Sequence, residues 1–299
     1  MYGTQGPGHS PRLADVAELV RLPAALSVPG DVLAGAVAGD GRPRLRTAGT
    51  IASSVALYWA GMALNDYADA AVDAVERPER PIPSGRVPRR TALATACALT
   101  AAGLGLAALS GGRRALGVAL PLTGLVWAYD LRLKNTPAGP AAMAGARTLN
   151  VLAGTRPGHR TAALPTALLV GAHTYTVTAL SRHEVAGAPR TVPAATLAGS
   201  AATALAAAAL PRPRPGSRVA RLGAAAGALG YLASYGTAQL RAAREPSAGN
   251  VRRAVGTGIM SLMPLQAALT AGGGAPALAG LLAAAHPLAR RLARKVSPT

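Results

Sequence analysis

Ten apolar blocks occupy most of this 299-residue chain, at about 22–39, 47–65, 91–110, 115–131, 138–155, 161–181, 192–210, 218–240, 254–271 and 275–290. Each is close to the roughly 17–25 residues a helix needs to cross the hydrocarbon core of a bilayer. A soluble chain of this length defaults to two domains of about 150 residues. Blocks of this size and number point instead to an all-α polytopic membrane protein. Gly272-Gly273-Gly274 divides the last two blocks and reads as either a kink or a turn, so nine to ten transmembrane helices are expected. No internal repeat and no linker separates two units. The chain therefore reads as a polar N-terminal tail, 1–20, followed by one transmembrane domain, 21–299.

Half the residues are hydrophobic and only 14% are charged, but Phe is absent and Ala abounds, which weakens the hydropathy of each span. The formal net charge of +19 raises the question of nucleic acid. The 31 Lys and Arg, however, are spread over nearly every inter-block loop, without interleaved aromatics or a binding motif. Loop placement is what membrane topology produces. With ten spans and the N-terminus inside, 19 bases fall inside, 11 outside and one, Arg147, within a span. That favours a multi-pass protein of the cell membrane with the connections at 66–90, 132–137 and 182–191 all cytoplasmic. They can then meet at one cavity. Cys97 is the single cysteine, so there is no disulfide framework and no thiolate metal site. Met1–Ser10 is polar without a signal-peptide core, and insertion is expected to rely on the first span.

Carboxylates are scarce, yet five of the twelve fall within fourteen positions of the run N-D-Y-A-D-A-A-V-D-A-V-E-R-P-E-R-P-I-P-S-G-R, Asn65 to Arg86. Asp66, Asp69 and Asp73 are spaced i, i+3, i+7 and share one helix face. Mutual repulsion along such a stripe is relieved by a hard divalent cation such as Mg²⁺, which prefers carboxylate oxygens shared with substrate phosphates. Pro78, Pro81 and Pro83 end the helix near Arg77, which makes Ile82–Arg86 a loop. Arg77, Arg80 and Arg86 suit bidentate phosphate contacts, or else pair with the acids or anchor the loop at lipid headgroups. Arg147 and Asn150, three apart inside the fifth block, share a face. A charge so deep usually faces a polar cavity, with a helix-packing hydrogen bond as the alternative. His173 and Thr176 also share a face, and such a His is more often packed than functional.

The pattern N-D-x-x-D-x-x-x-D followed by E-R-P-x-R-P-I-P-S-G-R resembles the first Asp-rich motif of the UbiA superfamily of intramembrane prenyltransferases. The resemblance implies a UbiA-type helical bundle with a cytoplasmic cap, Mg²⁺ as cofactor and an isoprenyl diphosphate as donor. It places Asn65, Asp66, Asp69 and Asp73 at metal positions, and Arg21 also resembles a family position. Residues 127–136, W-A-Y-D-L-R-L-K-N-T, resemble the family's stretch after the fourth span, with Tyr129 and Lys134 facing the diphosphate. After the sixth span most members carry a second motif, roughly D-x-x-x-D. Here Y-T-V-T-A-L-S-R-H-E-V, residues 175–185, offers Glu184 as its one acid, with Ser181, Arg182 and His183 at the other polar positions. One carboxylate can still complete a Mg²⁺ shell with waters and phosphate oxygens. R-x-L-N-x-L-x-G with T-x-L-S-R-x-E is similar to the EboC-like branch, which implies secondary metabolism.

The expected activity is Mg²⁺-dependent transfer of an isoprenyl group to a small acceptor, with Asp66, Asp69, Asp73 and Glu184 as catalytic and metal residues. The acceptor stays open between aromatic, quinone-like and cyclitol classes. A non-catalytic or transport-linked binder of polyprenyl carriers is the runner-up, because the second motif is reduced. A basic multi-span transporter would show ionisable residues in symmetric halves, and only Arg147 is of that kind.

Overall fold

The computed structural model describes residues 12–21, 25, 27–210 and 218–296, and every regular element among them is a helix. They run α1 (Leu13–Leu19), α2 (Val28–Asp40), α3 (Leu45–Glu76), α4 (Arg89–Ala128), α5 (Gly139–Ala153) and α6 (Arg160–Ser181). Then follow α7 (Thr191–Ala209), α8 (Arg218–Tyr231), α9 (Thr237–Arg244), α10 (Ala248–Gly272) and α11 (Pro276–Val296). A π turn over Leu232–Gly236 joins α8 and α9 into one limb.

Helix α4 is two limbs. Gly112 has φ 60° and ψ −154°, a conformation open only to glycine. Trp127 Nε1 donates to Thr100 Oγ1 at 3.2 Å. In a straight helix those residues would lie about 40 Å apart, so the chain doubles back at Gly111-Gly112. With α1 set aside, α4 counted twice and α8–α9 once, ten limbs among the described residues match the ten apolar blocks. Gly273-Gly274 is a turn, with Ala275 N–H donating to Thr270 O at 3.1 Å.

Part of the polar stretch 1–20 is helical. Residues 13–19 form α1, whose Leu19 is fully buried, while residues 1–11 lie outside the described set. Residues 22–24, 26 and 211–217 likewise lie outside the described set.

Helix α2 sits at the centre, against α3, α5, α6 and α10. Its approach to α5 is close because both surfaces carry glycine. A Cβ on Gly35 would fall 1.9 Å from Val151 O, and one on Gly154 would fall 2.1 Å from Val32 O. Small residues that let two backbones approach are the usual helix contact where no hydrophobic driving force acts between helices. The polarity of the bundle runs inside out. Asp31, Ser200, Gln239, Gln266 and Thr270 are buried, while Leu109, Leu205 and Leu229 are each more than 65% exposed. Three helices are long and apolar enough to cross a membrane by length and composition: Arg89–Leu133, Thr191–Ala209 and Ala248–Gly272.

Candidate active site

The last three turns of α3 carry the acidic stripe. Asp66 and Asp73 are buried and Asp69 is half-buried. α3 closes at Glu76, where Arg77 N–H donates to Asp73 O, and the prolines turn the chain back over the helix. Val87 N–H donates to Pro81 O at 2.8 Å, and Val87 and Ile82 pack with Leu19, Leu64 and Ala92. This apolar seat fixes the loop as a cap. It delivers Arg80 to the stripe, with Nη1 2.7 Å from Asp73 Oδ2 and 3.4 Å from Asp66 Oδ1. From the other side Arg21 Nη2 reaches Asp66 Oδ1 at 2.9 Å. Arg21 holds φ at 47°, a left-handed backbone that costs a non-glycine residue about 1–3 kcal/mol.

The end of α4 supplies the next wall. A π turn over Tyr129–Leu133 leaves Lys134 N–H bonded to Tyr129 O, and Lys134 Nζ pairs with Asp69. The same turn faces Asp130 inward, buried, where it accepts from Asn65 Nδ2 at 3.2 Å. Each aspartate of the stripe thus has a built-in basic partner. In this arrangement Arg21, Arg80 and Lys134 offset the charge along the stripe.

The connection after α6 arrives at the same pole. Arg182 Nη1 donates to Thr136 O, two residues beyond Lys134. Glu184 is half-buried. Burial pushes its pKa up, against the charges of Arg77 and Arg252, and Arg252 Nη2 donates to its backbone oxygen at 3.4 Å. Glu184 thus lies within electrostatic reach of Arg77. Among the described residues no three His, Cys, Asp or Glu side chains converge as a metal cage. Tyr129 is half-buried within electrostatic reach of Asp69 and Arg182. Ser181 donates back to Thr178 O.

Three expected site residues are placed elsewhere. Arg86 bonds to Glu18 and Asp15 of α1, at 2.6 and 2.9 Å, and to Glu79 O, so it fastens α1 to the cap and faces away from the stripe. Arg147 and Asn150 do share a face, but both meet Asp31 of α2, at 3.1 and 2.9 Å. Gln266 of α10 completes the set, donating to Asp31 Oδ1 at 2.7 Å and to Ser27 O at 2.8 Å. This buried lock joins three helices, which is the packing alternative. His173 is also packed, with Nδ1 3.0 Å from the Tyr231 hydroxyl and its ring edge-on to Tyr231 and Tyr235.

Sequence reasoning missed Asp130 and Asp31. Asp130 is a lone acid at the edge of the fourth apolar block, and Asp31 is a lone acid inside the first, the same signal that singled out Arg147.

The description of the UbiA prenyltransferase family matches residues 28–187, more than half of the chain. The digeranylgeranylglyceryl phosphate synthase of Methanopyrus kandleri is 43% identical over 112 residues, 37% of this chain and 38% of that protein. The enzyme of the same name from Ignicoccus hospitalis is 41% identical over 131 residues, covering 42% and 41%. The chain thus spans about two fifths of the length of these relatives. In structure, a UbiA homologue from Aeropyrum pernix K1 superposes with TM-score 0.63 at 19% identity, covering 82% of this chain and 96% of that one. A solved structure of digeranylgeranylglyceryl phosphate synthase gives the same score at 15% identity, covering 87% and 98%. Those two likenesses speak for the fold, a UbiA-type membrane bundle. With the family match over α2 to the connection after α6, where the acidic stripe and its basic partners lie, the chain belongs to the UbiA prenyltransferase family.

Proposed function

We propose that this chain is a membrane prenyltransferase, moving an isoprenyl group from an isoprenyl diphosphate to a small acceptor at the acidic pole, on the cytoplasmic side. One observation carries the reading. Arg80 Nη1 lies between Asp66 and Asp73 while Lys134 lies on Asp69, so acids and bases alternate within one capped site. A metal diphosphate carries both signs, and a site of both signs can exchange its internal ion pairs for pairs with that ligand.

The fit to Mg²⁺ rests on the donor set. Asp66 and Asp73 direct oxygens at one cation position, the one Arg80 Nη1 fills. Mg²⁺ takes one or two carboxylates and completes its shell with waters and substrate phosphates, so a protein cage of three is not required. Asn65, Asp66, Asp69 and Asp73 would hold it, with Glu184 joining from the α6 connection. When bound, the ion supplies charge neutralisation at the leaving diphosphate.

Arg80, Arg21 and Lys134 then turn their N–H groups to phosphate oxygens, with Arg77 and Arg182 at the rim. The C–O bond of the donor breaks and its electron pair leaves on the diphosphate oxygen. The positive charge spreads over the allyl group until the acceptor's nucleophile forms the new bond and releases a proton. Water would intercept that charge, and the cap of residues 77–88 keeps the site covered. The name of the relatives, a geranylgeranylated glyceryl phosphate, supports an isoprenoid donor here.

Reconstituted protein is assayed for diphosphate release from a panel of short isoprenyl diphosphates, with Mg²⁺ and with EDTA. Release is expected from the wild type, none after chelation, and none from the triple variant Asp66→Ala/Asp69→Ala/Asp73→Ala, which still inserts. Mg²⁺-dependent turnover by the triple variant would falsify the assignment. Binding without release by the wild type would favour the non-catalytic carrier, the reading that Glu184 as sole acid of the connection after α6 supports.

A further inference from the structure

The pole opposite the acidic stripe carries a second charged pocket. Seven arginines lie on the connections 41–46, 113–114 and 156–160, against one acid, Asp40. Asp40 is buried, its side chain 2% exposed, with Arg46 Nη2 at 3.3 Å and Arg44 Nε at 4.0 Å from Oδ2 and His159 Nδ1 at 3.0 Å from Oδ1, which has no hydrogen-bond partner. The remaining positive charge has no carboxylate to meet.

Two of these arginines open onto a pocket between α3, the two limbs of α4 and the start of α6. Its polar side is Arg46, Thr50, Ser53, Thr155 and Arg160, and its apolar side includes Leu57, Val118 and Leu122. Thr50, Ser53 and Thr155 donate to the backbone oxygens of Arg46, Gly103 and Gly35, which leaves the two guanidinium groups and the Ser54 hydroxyl as the donors in the lining. Arg160 Nη2 donates to Arg114 O at 2.8 Å, but its Nε is buried with no hydrogen-bond partner. Arg46 and Arg160 are also close enough to repel one another. An unmet buried donor on Arg160, beside an Arg46 guanidinium that shares one carboxylate with Arg44 and His159, opposite an apolar wall, matches an anion attached to hydrocarbon.

We propose that this pocket binds a phosphate group, that of an anionic lipid headgroup or free phosphate, between Arg46 and Arg160. Arg46 and Asp73 are 27 positions apart on one helix, about 40 Å, so the pocket is separate from the diphosphate site and independent of it. Basic pockets between membrane helices commonly take anionic headgroups.

Native mass spectrometry of the detergent-solubilised protein with phosphatidylglycerol or phosphatidylcholine tests the lipid source. Thermal melting with inorganic phosphate tests the free ion. In Arg46→Gln/Arg160→Gln, phosphatidylglycerol adducts are expected to fall by about tenfold with phosphatidylcholine adducts unchanged. Alternatively phosphate raises the melting temperature of the wild type only, which assigns the pocket to the free ion. Diphosphate release at the far pole, or unchanged melting without ligand, reports that the variant is folded. If the double variant fails both criteria, Arg160→Gln alone is read in the same way. A folded variant that binds phosphatidylglycerol and phosphate as the wild type does overturns the proposal.

Discussion

Arg80 and Arg86 leave the same proline-rich turn six positions apart and serve different partners. Arg80 is turned onto two buried carboxylates, whereas Arg86, more than a third exposed, reaches out to α1. Their local sequence is nearly interchangeable, and only the apolar seat of Ile82 and Val87 decides which way each faces. Arg80→Ala should therefore lower diphosphate release by about 10²–10³-fold, the range seen when one donor to a developing anion is lost. Arg86→Ala should leave the rate within about twofold and change stability by no more than about 1 kcal/mol, as exposed ion pairs do. Equal losses in the two variants would refute this division of roles. The stripe itself was legible from spacing, because i, i+3, i+7 is a property of one helix. The partner of Arg86 was not, since Asp15 and Glu18 lie about 70 positions upstream on a helix that the polar tail concealed. The pairing of Asp31 with Arg147 was hidden for the same reason: nothing local in either block announces a contact between residues more than 100 positions apart.

At the scale of elements, apolar block length was enough to locate all ten limbs, because a bilayer sets that length whatever the side chains are. What block length could not supply was geometry at the joints. The reversal at Gly112 and the π turn at Tyr129–Leu133 each depend on a few backbone angles, and the π turn is what presents Asp130 and Lys134 to α3. The α2–α5 crossing is another such joint. Gly154→Val should push the helices apart, because its Cβ would meet Val32 O, and destabilise the bundle by about 1–3 kcal/mol. Gly105→Ala is the control, since nothing lies within 4 Å of a Cβ there. Thermal melting in detergent separates the two: the first variant should melt several degrees lower and the second at or above the wild type. Matching melting points would show that the crossing tolerates expansion.

For the molecule as a whole, the buried lock and the two charged poles make separate demands. Asp31 ties α2 to α5 and α10 through Arg147, Asn150 and Gln266. Removing one member of a buried ion pair strands the other, a loss of about 3–5 kcal/mol. Asp31→Leu should melt far below the wild type, and Asp31→Leu/Arg147→Met should recover much of the difference; no recovery would mean that shape, not charge, holds that contact. The poles bear on orientation. α3 runs from Arg46 to Asp73 without interruption, so the two poles lie on opposite sides of any bilayer the bundle crosses. Counting bases over all connections favours the acidic pole inside, although the far pole has the larger local excess of Arg over acid. The rule counts bases and gives little weight to Asp and Glu. With Cys97 replaced by Ala, a single cysteine is introduced at Ser84 in the cap or at Gly158 on the opposite pole, both exposed. In intact cells a membrane-impermeant maleimide should label Gly158→Cys and spare Ser84→Cys until the membrane is opened. The reverse pattern would put the diphosphate site outside, away from any cytoplasmic pool of isoprenyl diphosphate. The orientation and the proposed activity would then be incompatible.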